Sequence, residues 1–301
     1  MAEAMPTYIG RSVARREDKR LITGAGTFVG DMKMEGMLHV AFARSQLPHA
    51  QITKVNLEDA RLQADVELAL SGEDLQGVLP PISGMQVTAP KTWREGMDPQ
   101  IQIPDQTLIP YDKLRYVGEP YALVVAKDRY SAEDAVELIN TDFNPLEPVP
   151  NAEAAIEKSA ALVHDQLPQN IAASLHAKTG DSELALREAP HRIKRHFFHH
   201  RYAAMPMECR GVIADYDSRT DTITVWSSTQ VVHWVRREVA NALNMAEEQV
   251  RVVAPDVGGG FGGKGHVYPE DILIAYLSKR LGRPVKWVED RHEHILNAAH
   301  S

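Results

Sequence analysis

Residues 256–265 read DVGGGFGGKG, six glycines in ten positions. Glycine loses more backbone freedom on ordering than any other residue, so such a run needs a reason. The reason that fits is a group pressed so closely against the backbone that side chains are excluded. The flanks support a defined position for this loop. The nine residues QVRVVAPDV (249–257) before it are β-branched and read as a short buried strand. After it comes PEDILIAYLSKRLG (269–282), which reads as a helix. Pro269 suits the first turn, Glu270 and Asp271 the positive end, Lys279 and Arg280 the negative end, and Gly282 the cap. Successive N–H groups of a loop so placed can converge on a phosphate, an oxyanion or an oxo ligand.

Two nucleotide readings compete for the loop. Gly258, Gly263 and Lys264 satisfy G-x-x-x-x-G-K, but Gly265 stands where a P-loop needs Ser or Thr to hold magnesium. Gly258, Gly260 and Gly263 fit G-x-G-x-x-G, though a run this rich in glycine fits almost any glycine pattern, and the helix does not open directly at the loop. A phosphate- or nucleotide-binding module built on Gly258–Lys264 stays open at this point.

The rest of the chain sets the frame. Its 301 residues carry 33 Lys+Arg against 41 Asp+Glu, a net charge of -8, which argues against a nucleic-acid or anionic-membrane surface. One cysteine, Cys209, rules out a disulfide framework and an iron–sulfur cluster bound by these residues alone. No apolar run reaches membrane-spanning length, and the basic N-terminus is interrupted by Glu17 and Asp18, so the cytoplasm is the expected location.

Strand-like runs occur at 37–45, 50–57 and 121–128, and residues 78–110, with six prolines, read as a long irregular loop. Ser131 and Asp134 resemble a capping box for a helix carrying Ala132, Ala135, Val136 and Ile139 on one face. NPLEPVP (144–150) is the expected boundary between a domain at 1–150 and a second at 151–301. In the second, GVIADYD and TITVWSS read as a hairpin. VVHWVRREVANAL reads as a helix buried through Val232, Val235, Val239 and Ala242, and RPVKWVED as a returning strand. Alternating strands and helices predict crossover units with parallel pairing, in a mixed α/β fold.

Several long segments, in order, resemble the molybdenum-cofactor-binding large subunit of the molybdenum hydroxylases, the family of xanthine dehydrogenase, aldehyde oxidase and carbon monoxide dehydrogenase. They are IGRSVARREDKRLITGAGTFVGDM, LRYVGEPYALVVAKDRYSAEDAVELI, HRYAAMPMECRGVIADYD, WSSTQVVHWVRREVA, RVVAPDVGGGFGGK and GRPVKWVEDRHEH. The resemblance implies a hammerhead-type α/β domain followed by the first part of a molybdopterin-binding α/β domain. It implies a molybdenum–molybdopterin cofactor, with the cytosine dinucleotide among its forms. It also implies 2Fe-2S and FAD groups on a small and a medium partner subunit, and a C-terminal half of the large subunit as a further partner. The reaction would oxidise an aldehyde, an N-heteroaromatic compound or carbon monoxide, with water as oxygen source. Carried over by motif, Gln230 places its amide near a molybdenum oxo ligand. Gly259, Gly260, Phe261, Gly262 and Gly263 form the cofactor-binding loop, and Phe261 walls the pocket. Gln230 and Phe261 lie beside the metal without ligating it.

The general-base glutamate of the family is expected in a segment beyond these residues, so no catalytic residue is assigned here and the isolated chain is expected to be inactive. A non-catalytic remnant serving as an assembly scaffold is the other alternative. Purine-oxidising members carry a glutamate after GGGFGGK where Gly265 stands here, which disfavours xanthine. His191, His196, His199 and His200 invite a zinc site, but the alternation of basic and apolar residues fits a strand entering the second domain better. Glu208 matches the family's acid and reads as structural, and Cys209 as a small packed side chain.

Overall fold

Three sheets are present in the computed structural model, which describes residues 9–84, 100–101, 103–174 and 179–299. The largest combines β1 (Leu38–Arg44), β3 (Val66–Ser71) and β6 (Pro120–Ala126) from the first half with β9 (Gly211–Asp217), β10 (Thr222–Ser227), β11 (Val250–Val253) and β12 (Val285–Val288) from the second. Its order is β11-β10-β9-β12-β1-β6-β3. A smaller sheet joins β2 (Ala50–Asn56), β5 (Lys113–Leu114) and β7 (Asn140–Pro145), and β4 (Gln100–Ile101) pairs with β8 (Ala173–Ser174).

The period-two alternation of β1 and β6 separates two cores. Leu38, Val40, Phe42, Leu123 and Val125 face a core shared with Val235 and Val239 of the Val232–Leu243 helix and Ile272, Leu273 and Leu277 of the Pro269–Leu281 helix. Ala43, Ala122 and Val124 face the opposite side, against Ala135 of the Arg129–Val136 helix. The Val232–Leu243 and Pro269–Leu281 helices, which flank the glycine-rich segment in the sequence, thus pack on one face of a continuous sheet.

The expected hairpin is β9–β10, and β10 pairs with β11 in parallel through the Val232–Leu243 crossover. Parallel pairing is partial, however: β12 runs antiparallel to β9 and parallel to β1. The strand β11 is less buried than its residues suggest, because it lies at the sheet edge with Arg251 exposed. The Arg129–Val136 helix starts earlier than the Ser131/Asp134 pattern implies. Asp128 caps it by accepting from the Ser131 N–H at 2.9 Å, a shorter local route to the same free donor. The proline-rich stretch is irregular where described, apart from β4 and a bridge between Ile82 and Gln106, while 85–99 and 102 lie outside the described residues.

HRIKRHFFHH is not a strand. Residues 191–200 carry no regular structure and all are exposed, since no sheet edge among the described residues lies beside them. Their histidines are not gathered into a candidate metal site among the described residues. No helix among the described residues is long and apolar enough to cross a membrane.

Candidate functional site

Parallel strands that lie side by side end on the same side of their sheet, and open α/β sheets place ligands beyond those carboxyl ends. Trp226 of β10 is paired with Val253 of β11, so the segments leaving both strands, Ser228–Gln230 and the glycine loop, meet at one point. There Gln230 grips Lys264 from both sides. Its backbone N–H donates to the Lys264 carbonyl at 2.9 Å. Its Oε1 accepts from Lys264 N–H at 3.3 Å and from Gly262 N–H at 3.2 Å. With Oε1 turned to the loop, the Nε2 amide is the end left to donate outward.

The backbone takes shapes that need glycine. Gly259 and Gly262 have φ of +96° and +89°, and Phe261 itself sits at +50°, which leaves its ring 72% exposed. A Cβ on Gly260 would lie 2.6 Å from Gln230 Oε1, and one on Gly258 would lie 2.5 Å from Glu208 Cβ. These two glycines are therefore required by Gln230 and Glu208 pressed against them. The N–H groups of Gly259, Gly260 and Phe261 make no hydrogen bond among the described residues, whereas that of Gly262 is already bonded to Gln230. The structure thus brings Gln230, Gly259, Gly260, Phe261 and Gly262 together at one surface, while Gly263 is buried beneath it with its N–H bonded to the Gly260 carbonyl at 2.9 Å.

Lys264 faces the other way. Its side chain is fully buried, and Nζ donates to Glu208 Oε2 at 2.8 Å and Ser228 Oγ at 2.6 Å. Burial pushes its ammonium down, against the opposing pull of the Glu208 carboxylate. A lysine turned inward is not available to a phosphate outside the loop, and the following helix starts only at Pro269. Both features of a P-loop are missing. At the loop's entry, Asp256 accepts from Arg20 and from Thr27 N–H at 2.8 Å, and the Arg20 hydrogen bond holds its carboxyl down at about 2.

Behind the loop lies a buried ionic network. Arg210 donates to Glu289 at 2.6 Å and to Glu270 at 3.2 Å, while Arg44 of β1 reaches Glu270 at 2.8 Å and Glu293 at 2.7 Å. Burial pushes the Glu289 carboxyl up, but His294 and Arg210 outweigh it and bring it down to about 2. Asp271, capped by Ser227 Oγ at 2.8 Å, is raised by burial to about 6. Cys209, Glu289 and His294 offer ligand atoms within 4.8 Å of one another. Both His294 ring nitrogens are engaged, though, with Glu289 at 2.8 Å and the Ala204 carbonyl at 2.7 Å, so the ring is an internal strut. No local signal marks this network, because Arg210 meets Glu270 and Glu289 across 60 and 79 residues, and Arg44 meets Glu270 and Glu293 across 226 and 249.

Fold and site together define a protein that presents neutral N–H donors, without a ligating thiolate or imidazole, to a group seated beyond the ends of two parallel strands. Comparison with known proteins gives that class a family. Residues 163–301 match the molybdopterin cofactor-binding domain, and residues 23–147 match the aldehyde oxidase and xanthine dehydrogenase a/b hammerhead domain. The chain belongs to the molybdenum hydroxylase family, as a portion of its molybdenum-cofactor-binding large subunit. It is 38% identical to the nicotine 6-hydroxylase large subunit of Paenarthrobacter nicotinovorans, over 97% of this chain and 35% of that one. The carbon monoxide dehydrogenase large chain of Hydrogenophaga pseudoflava is 30% identical over 94% of this chain and 35% of its own. Among solved structures, quinoline 2-oxidoreductase from Pseudomonas putida 86 superposes with a TM-score of 0.86 at 36% identity, covering 97% of this chain and 36% of that one. The chain thus spans about a third of the length of these relatives.

Proposed function

We propose that the chain is the N-terminal part of the catalytic large subunit of a cytoplasmic molybdenum hydroxylase acting on an N-heteroaromatic substrate. Water is the oxygen source, and electrons leave to partner subunits carrying 2Fe-2S and FAD. The observation that carries this reading is the packing of Gln230 against a glycine loop whose Gly259, Gly260 and Phe261 N–H groups are unbonded among the described residues.

The residues fit a pterin-borne molybdenum. An oxo group calls for donors that polarise it without competing as ligands, and an amide with backbone N–H groups does so. The N–H groups of Gly259, Gly260 and Phe261, unbonded among the described residues, are the donors left for such a group. When bound, the cofactor supplies two-electron oxidation of a substrate carbon. Gln230 would offer its N–H₂ to the bound group, and Phe261, 72% exposed, would offer an aromatic face on which a planar substrate ring can stack. The N-heteroaromatic class is favoured because two similar proteins are named for nicotine and quinoline. Gly265, where purine-oxidising members carry glutamate, weighs against purines. The remaining pterin contacts and the general-base glutamate come from the rest of the large-subunit fold.

The test is molybdenum content after co-expression with the rest of a large subunit and the two electron-transfer subunits. Wild type should retain molybdenum and oxidise quinoline or nicotine in preference to xanthine. Gln230→Ala combined with Phe261→Ala should lose at least about tenfold in bound metal, the scale seen when groups around a metal site are removed. Lys264-dependent ATP binding with no molybdenum would overturn the assignment.

A further inference from the structure

The glycine loop has almost no side chains with which to pack, yet ordering each residue costs about 1–2 kcal/mol of backbone entropy. Its order must be imposed by groups outside it. Glu208 Oε2 accepts three hydrogen bonds: from Gly258 N–H at 2.8 Å, from Ser228 Oγ at 2.7 Å and from Lys264 Nζ at 2.8 Å. The Glu208 N–H returns a bond to the Gly258 carbonyl at 3.1 Å. One carboxylate oxygen therefore joins the first residue of the loop to the last. Ser228, which directly follows β10, fixes that oxygen to the sheet, and Gln230 holds the backbone of Lys264 on the other side.

We infer that Glu208 and Lys264 are positioning residues, a buried ion pair that closes the glycine loop at both ends and sets Gln230 and the Gly259–Phe261 N–H groups as one rigid donor surface. Lys264 Nζ is spent on Glu208 and Ser228, and Glu208 Oε2 on its three donors, so neither atom is free for a bound group. The charge is used because a single oxygen must hold three donors from three separate segments, and charge-assisted hydrogen bonds are about twice as strong as neutral ones. The inference rests on the reading that this loop carries the cofactor, and it states what prepares the loop to do so.

Hydrogen exchange on the full 301-residue chain tests it without cofactor or activity. The amides of Gly262, Gly263, Lys264 and Gly265 are hydrogen-bonded and report loop order. Lys264→Met strands the Glu208 charge and risks misfolding, so the decisive variant is Glu208→Gln with Lys264→Met, which leaves no unpaired ion. Exchange across 258–265 should quicken by about tenfold or more, while the Pro269–Leu281 helix stays within about twofold of wild type, the mark of local opening. Unchanged loop exchange overturns the inference, as does equal acceleration of loop and helix, which would mean a global stability role. Molybdenum content of the assembled wild type is a separate readout. If it is nil while the loop result holds, the functional reading fails and the positioning role stands.

Discussion

The glycine loop at 258–264 and the histidine-rich segment at 191–200 make opposite use of their side chains. The first has hardly any and is held in one shape by Gln230, Glu208 and buried Lys264. The second is full of metal-binding and aromatic groups, yet Ile193, Phe197 and Phe198 are 76–86% exposed and its histidines are not brought together. Ligand chemistry in a sequence becomes a site only where buried partners fix its geometry. The loop has those partners, and the histidine run lacks them among the described residues.

Four measurements break or sharpen this contrast. The largest effect is expected from Arg210→Met, which removes a buried cation from Glu270 and Glu289 and leaves them only Arg44 and His294. Loss of about 3–5 kcal/mol in denaturant unfolding is expected, and a loss below about 1 would mean that the remaining partners suffice for the buried carboxylates. Gly258→Ala comes next. Its new Cβ would lie 2.5 Å from Glu208, so a cost of about 1–3 kcal/mol is expected, with faster exchange in the loop. An unperturbed variant would show that the loop shifts freely and is not clamped.

Glu119 supplies a buried carboxyl without an adequate cation, unlike Glu270, and burial raises it to about 7. A carboxyl bound more tightly by protons in the folded state contributes stability at low pH that is lost as pH rises from about 4.5 through about 7. Glu119→Gln should therefore gain in thermal midpoint over wild type between pH 5 and 8, by a few degrees on the scale of about 1 kcal/mol. A pH-independent difference would contradict the burial argument. The smallest effect belongs to the combined Ala replacement of His191, His196, His199 and His200. Stability should stay within about 0.5 kcal/mol and zinc content unchanged at nil, and loss of a stoichiometric metal would collapse the comparison.

The sequence made the site's surface legible because it is local. The strand and the bare loop are short-range patterns, whereas Gln230, 32 residues from Gly262, enters only through the family resemblance. What made the loop rigid was not legible. Lys264 reads as an exposed phosphate ligand until its side chain is seen between Glu208 and Ser228, residues 56 and 36 positions away. The strand β3 (Val66–Ser71, VELALS) alternates over only six residues, and its order comes from pairing with β6. The histidine run shows the converse: it alternates like a strand but pairs with none among the described residues.

The pairing of Leu38 with Val285 has a consequence during synthesis. The edge of β1 is made early, but the strand that covers it emerges about 250 residues later, on the order of tens of seconds at usual ribosomal rates. Throughout that interval a Leu-, Val- and Phe-bearing ribbon stands open to any other nascent chain. Cutting the gene between its two matched regions would leave that ribbon permanently uncapped, so each piece should precipitate where the intact polypeptide does not.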